Sequence, residues 1–156
     1  MTLLEQVKKD ILVAMKAKDA DALRGLRGLK GALETKETEK RGQERDVEAT
    51  LTSDEEIAVL QKALKTRRES ADIYSEQNRP DLVSIENQEI DVLEKYLPKQ
   101  LTPDEVLEIV KNTVAEVGAT SQKDMGKVMN AAKVIIAGRS DNKTISETVK
   151  SVLTFA

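Results

Sequence analysis

Thr2–Glu5, Thr52–Glu55 and Thr102–Glu105 each place a glutamate three residues after a threonine, just ahead of a run with helical spacing. At a helix start such a pair satisfies the orphan backbone N–H groups reciprocally, hydroxyl to one and carboxylate to the other. Each pair precedes apolar residues spaced three or four apart, the signature of one helical face. No segment shows the sustained alternation of a strand. The pattern predicts an all-α protein.

The capping signals divide the chain. A first helix opens at Thr2 and Glu5 and turns Leu4, Val7, Ile11 and Met15 to one side. Asp19 caps a second, running to about Arg41, with Ala22, Leu26, Leu29 and Leu33 inward; Gly42 to Leu51 is polar and breaks the pattern. Thr52 and Glu55 reopen a long helix with Ile57, Leu60, Leu64, Ala71 and Tyr74 inward. Pro80 suits the first position of a fourth, which carries Leu82, Ile85, Glu89, Leu93 and Tyr96 until Pro98 stops it. These four elements read as a helical bundle or as paired helical hairpins.

The last third holds three shorter helices. Thr102-Pro103-Asp104-Glu105 opens one that Gly118 ends. Ser121 and Asp124 open the next, with Val128, Met129, Ala132, Ile135 and Ile136 inward and Gly138 as its stop. Thr144 and Glu147 open the last, around Ile145, Val149 and Val152. The expected organisation is a helical domain over 1–98 and a compact three-helix unit over 102–156, joined at Pro98–Thr102.

Composition narrows the chemistry. The chain of 156 residues has no cysteine and no histidine. That removes thiolate catalysis, cysteine-ligated zinc and the commonest general base and metal ligand. Tryptophan is absent too, and the aromatic residues are Tyr74, Tyr96 and Phe155. A stacking platform for single-stranded nucleic acid cannot be built from three such scattered rings. No cofactor or metal is expected.

The first nineteen residues are punctuated by charge, unlike a signal peptide, and no later stretch is apolar enough to span a membrane. The expectation is a cytoplasmic protein with no membrane partner. The net charge of −3 is unevenly placed. Residues 1–45 hold 11 bases and 8 acids (+3), 46–118 hold 8 and 17 (−9), and 119–156 hold 6 and 3 (+3). An acidic middle offers itself to a protein partner, and a basic end to an anionic one.

Four segments are candidates for chemistry. Gly25, Gly28 and Gly31 recur every third residue between Arg24, Arg27 and Lys30. No strand feeds them, so they are not a phosphate-binding fingerprint; they imply close helix approach or a bendable helix, beside a drifting basic stripe. Ser140-Asp141-Asn142-Lys143 matches the Ser-x-x-Lys and Ser-Asp-Asn patterns of penicillin-recognising enzymes, but the scaffold for that mechanism is missing and a polar turn suffices. Arg67 stands on an inward seam and needs a carboxylate, for which Glu86 and Glu89 are the natural partners in a structural ion network. Finally, Gly126 near a helix start, between Lys123 and Lys127, marks either a phosphate site on free N–H groups or a tight helix contact. Lys133, Arg139 and Lys143 extend the positive character there.

These residues also carry a resemblance. Arg67-Arg68-Glu69-Ser70, Arg79-Pro80-Asp81-Leu82, Tyr96-Leu97-Pro98-Lys99-Gln100-Leu101, Lys123-Asp124-Met125-Gly126-Lys127-Val128-Met129 and Gly138-Arg139-Ser140-Asp141 resemble the GatB/YqeY family over essentially the whole chain. One departure is Asn142, where that family usually has glycine. The related module is the tail of the GatB subunit of tRNA-dependent amidotransferase, which contacts the tRNA body. The resemblance therefore implies a tRNA or other structured RNA as partner. Its family label is a carbon–nitrogen ligase with glutamine as amido-N-donor, yet no catalytic constellation for that reaction is visible here.

The expected function is non-catalytic RNA binding, accessory to amide transfer on aminoacyl-tRNA, with Lys123, Lys127, Lys133, Arg139 and Lys143 as contact residues. The alternative is a protein-interaction adaptor with no RNA ligand.

Overall fold

The computed structural model of the chain describes residues 1–154; Phe155 lies outside them. Those residues form seven α-helices and one short 3-10 turn, with no strand among them, so the protein is all-α. They divide into two compact units, Met1–Leu97 and Pro98–Ala156.

The first unit comprises α1 (Leu3–Ala17), α2 (Ala20–Glu44), α3 (Ser53–Glu76) and α4 (Pro80–Glu94). Short turns at Lys18–Asp19 and Gln77–Arg79 make two hairpins, α1–α2 and α3–α4, which pack together mainly through α2 against α4. The core is leucine-rich: Val7, Leu29, Leu33, Leu60, Leu64 and Leu93 are essentially inaccessible. Thr2–Glu5 and Thr52–Glu55 both close as reciprocal caps, and Pro80 stands at the start of α4.

Several expected positions move. Met15 is half exposed, and Ala14 takes its place on the buried face. Steps of four drift off a helix face with 3.6 residues per turn, so a step of three must intervene. The same drift exposes Ile85 and turns Glu86, Glu89, Ile90 and Leu93 inward. α2 continues through Gly42 to Glu44, and Arg45 ends it in the left-handed conformation (φ 55°). Beyond it, the Lys40 and Arg41 side chains donate to the Thr50 and Ala49 carbonyls at 2.9 and 2.8 Å, holding a polar loop that has no helix of its own. α4 ends at Glu94, ahead of Pro98. Glu56, 9 % exposed, accepts the Leu3 backbone N–H and so ties the start of α1 to that of α3.

The second unit holds α5 (Pro103–Val117), the 3-10 turn Gln122–Asp124, α6 (Met125–Ile136) and α7 (Asn142–Thr154). Small β-branched and alanine side chains fill its core: Val106, Val110, Val128, Ala132, Ile136, Ile145 and Val149. The Thr102–Glu105 cap and the left-handed Gly118 bound α5. Ser121 and Asp124 cap the 3-10 turn, so α6 begins at Met125. Ala137 (φ 49°) ends α6 one residue before the expected Gly138, which is itself at φ 81°. Ile135 faces outward at 44 % exposure. The last helix is capped by Asp141, whose Oδ1 accepts Thr144 N–H at 2.7 Å, rather than by Thr144. Leu153 completes the core beside a half-buried Val152. Among the described residues no helix is long and apolar enough to cross a membrane.

Candidate functional site

Two constellations of charge stand out, one in each unit. In the first unit, α2, α3 and α4 converge on Glu89. Its Oε1 accepts from Arg24 Nε at 3.2 Å, and its Oε2 lies 2.7 Å from Arg67 Nη1, an ionic contact without an aligned N–H. The carboxylate is 3 % exposed, so it is neutralised by two guanidinium groups instead of by water. Arg67 also donates to Glu86 Oε2 at 3.4 Å, while Arg24 is steadied by Asp21 at 3.0 Å. Arg67 is one-third exposed, so only the carboxylate half of the network is buried.

Two of the three clustered glycines lie beside this network. A Cβ on Gly25 would stand 3.5 Å from the Val92 side chain, and one on Gly28 would stand 3.4 Å from Arg67 Nη2. Gly31 meets nothing within 4 Å. The first two separations are ordinary van der Waals distances, so Gly25 and Gly28 lie against these neighbours without being required by them. Arg24, expected to lie on a solvated stripe, belongs to the network. Its partner is 65 residues away in sequence, and no local pattern signals such a contact.

In the second unit the basic residues separate into two groups. Gln122 donates to the Lys150 carbonyl at 3.2 Å and Lys127 Nζ to the Val117 carbonyl at 3.3 Å, so Lys123, Lys127 and Lys150 gather where α5 and α7 end and α6 starts. Leu101 N–H donates to the Arg139 carbonyl at 2.8 Å, so Lys133, Arg139 and Lys143 lie at the opposite end. The nearest members of the two groups, Lys127 and Lys133, stand six residues apart on α6, about 9 Å along its axis.

Two charged groups expected at a phosphate site are engaged within the chain. Asp124 Oδ2 accepts from Thr120 and Ser121 N–H, ahead of the 3-10 turn, at 2.9 and 3.3 Å, and so sets a carboxylate beside the start of α6. Those bonds hold its carboxyl below the usual carboxylate range. Arg139 in turn closes the far end of α6, donating to the Ile136 and Ile135 carbonyls at 2.9 and 2.8 Å, where a cation also meets the negative helix end.

The outward face of α6 remains open. Its twelve residues include no acid. Gly126, Lys127, Asn130, Lys133 and Val134 follow one another at helical spacing, and all are exposed. Gly126 has no heavy atom within 4 Å of a Cβ position, which excludes the tight helix contact considered for it. Asn130 and Val134 escape a reading of the sequence by motif, although their spacing from Gly126 and Lys127 is legible there.

Among the described residues no group of three or more carboxylates is placed to hold a metal ion. Compared with curated proteins, the chain finds no match. The family model for Yqey-like proteins does match, over residues 4–153 and therefore across both helical units. The chain belongs to the Yqey-like protein family.

Proposed function

We propose that this protein binds structured RNA through its phosphates, with the outward face of α6 as the contact surface. The observation that carries the reading is Gly126 on an exposed, acid-free helix, flanked by Lys123 and Lys127. A helical glycine costs roughly 1 kcal/mol relative to alanine, and here no neighbour within the chain requires it. A partner backbone pressing against α6 would require it. Lys123, Lys127 and Lys133 supply point charges for phosphate, and Asn130 a carboxamide between them. Recognition of duplex shape through phosphate and 2′-hydroxyl groups needs no aromatic stacking. The resemblance to the amidotransferase tail supports the same ligand class, and in this reading the protein is a cytoplasmic accessory to amide transfer on aminoacyl-tRNA with no chemistry of its own.

Gel-shift titration of the full chain against total tRNA at low and moderate salt tests this. Affinity should fall steeply with salt, and Lys127→Gln with Lys133→Gln should weaken it without altering the circular dichroism spectrum. Absence of salt-dependent binding at low ionic strength defeats the reading. A protein-adaptor function then takes over, favoured by Val134, which is 80 % exposed at the C-terminal end of the same face.

A further inference from the structure

Two exposed helix faces in the first unit carry the same pattern with the charges reversed. On α1 the outward residues are Glu5, Lys9, Leu12, Val13 and Lys16. On α3 they are Lys65, Glu69, Asp72, Ile73 and Glu76. Counting from the first residue of each set, the offsets are identical: a charge, its opposite four residues later, a central pair, and a repeat of that opposite seven residues on. Three of the charged positions are inverted between the two helices, Glu5 against Lys65, Lys9 against Glu69 and Lys16 against Glu76, while Asp72 matches the neutral Leu12. Residues at these intervals share one side of an α-helix, and the repeat of seven spans about 10 Å.

Neither face is covered within the chain. Leu12, Val13 and Ile73 are 59, 63 and 51 % exposed. Lys9, Lys16, Lys65, Glu69, Asp72 and Glu76 form no ion pair among the described residues, whereas many of their neighbours do. Arg68 is held by Glu94 at 2.9 Å, and Lys8 stands 4.0 Å from Glu34.

We infer that the chain pairs with a second copy of itself, α1 of one molecule lying alongside the C-terminal half of α3 in the other. With the helices parallel, Glu5 faces Lys65, Lys9 faces Glu69, Lys16 faces Glu76, and Val13 packs on Ile73. Leu12 then lies against the stem of Asp72, with the carboxylate at the rim. An antiparallel register keeps the lysine–glutamate pairs but loses Glu5–Lys65. Two α1 faces laid parallel would set Lys9 and Lys16 against their own kind. In a two-fold dimer the contact forms twice, and each copy contributes both halves. Exposed ion pairs are individually weak, so the association is modest and depends on salt. This inference is independent of RNA binding, which uses the other unit.

Sedimentation velocity on the full chain, from micromolar to near-millimolar concentration, tests it. The wild type should shift reversibly from monomer to dimer at low salt, with affinity reduced about tenfold at high salt. Lys9→Glu with Lys16→Glu should stay monomeric, as should Glu69→Lys with Glu76→Lys. An equimolar mixture of those two variants should dimerise again, because each contact then pairs opposite charges. All these positions are exposed, and unchanged circular dichroism of each variant establishes that the fold is kept. Leu12→Ser with Val13→Ser offers a second, charge-neutral probe and should also weaken the dimer. A wild type that remains monomeric overturns the inference. So does association that survives both charge reversals, or a mixture that fails to restore it. A wild type that changes size only when tRNA is added overturns it as well.

Discussion

The guanidinium of Arg67 lies across Gly28, its Nη2 3.4 Å from where a β-carbon would stand, and so passes from α3 over α2 to the buried Glu89 of α4. Sequence, packing and electrostatics meet in this one contact. A glycine in a helix interior is locally unfavourable. Here Gly28 lies beside the guanidinium that gives a carboxylate 3 % exposed its counter-charge.

Removing that charge should therefore destabilise the first unit. Arg67→Met is expected to cost about 2 kcal/mol, less than for a fully buried pair, because Arg24 stays on Glu89 and Arg67 is itself one-third exposed. Adding Glu86→Gln and Glu89→Leu should recover most of the loss, since the stranded charges disappear. Urea unfolding of the single and triple variants measures both quantities. A triple variant weaker than the single one would mean that the carboxylates have partners beyond the two arginines.

The glycines separate by their surroundings. Gly31→Ala meets nothing within 4 Å and should stabilise by about 1 kcal/mol. Gly126→Ala has equal room and should also stabilise, by up to about 1 kcal/mol. If RNA presses on α6 at this point, Gly126→Ala will weaken tRNA binding while raising the melting temperature. Opposite signs from one substitution cannot come from a folding defect. Equal or tighter binding would remove Gly126 from the interface.

How much of this is legible in the sequence follows the range of each interaction. The capping boxes at Thr2, Thr52 and Thr102 act over three residues and can be read directly. Met15 and Ile85 fall off the expected face because a helical face drifts, and only the packed partner decides whether a step is three or four. The Ser121–Asp124 signal reads as the start of α6, but a 3-10 turn intervenes, and its aspartate bonds back to the N–H groups ahead of that turn. Arg139 reads as a free cation, although Lys or Arg just past a helix end is equally suited to bind its last carbonyls. Arg24 and Glu89, 65 residues apart, have no local signal at all.

Acid should loosen the first unit through Glu55. Its Oε1 lies 2.6 Å from Lys40 Nζ and also accepts Thr52 N–H at 3.1 Å. The lysine, foremost, and the cap together lower its pKa to about 2, from 4.5 in the unfolded chain. A depressed carboxyl stabilises the folded state above its unfolded value and loses that contribution as pH falls towards its folded one. The loss attributable to Glu55 therefore lies between pH 4.5 and about 2. Glu55→Gln keeps a capping side chain but not the charge. Its melting temperature should be lower than wild type near neutrality, and the difference should shrink through that window. A difference that stays constant with pH would assign the effect to capping alone.

The last expectation separates structural from ligand-facing cations in the second unit. Arg139→Gln removes two donors from the Ile135 and Ile136 carbonyls at the end of α6. It should lower the stability of that unit by about 1 kcal/mol. Any effect on tRNA binding should then vanish at temperatures where the variant is fully folded. Lys123→Gln, Lys127→Gln and Lys133→Gln together should behave oppositely. Only Lys127 has an internal contact, a 3.3 Å bond to the exposed end of α5, so stability should change by less than about 0.5 kcal/mol. Affinity for tRNA should drop at every salt concentration, and the slope of log affinity against log salt should flatten by roughly one unit for each phosphate no longer neutralised. Replacing Arg24, Arg27 and Lys30 instead should leave the slope nearly intact, since Arg24 is committed to Glu89 and Lys30 stands 3.7 Å from Glu34. Should the α2 replacements flatten the slope as much as the α6 ones, the RNA would be held by the first unit, and the face of α6 would be left to a protein partner.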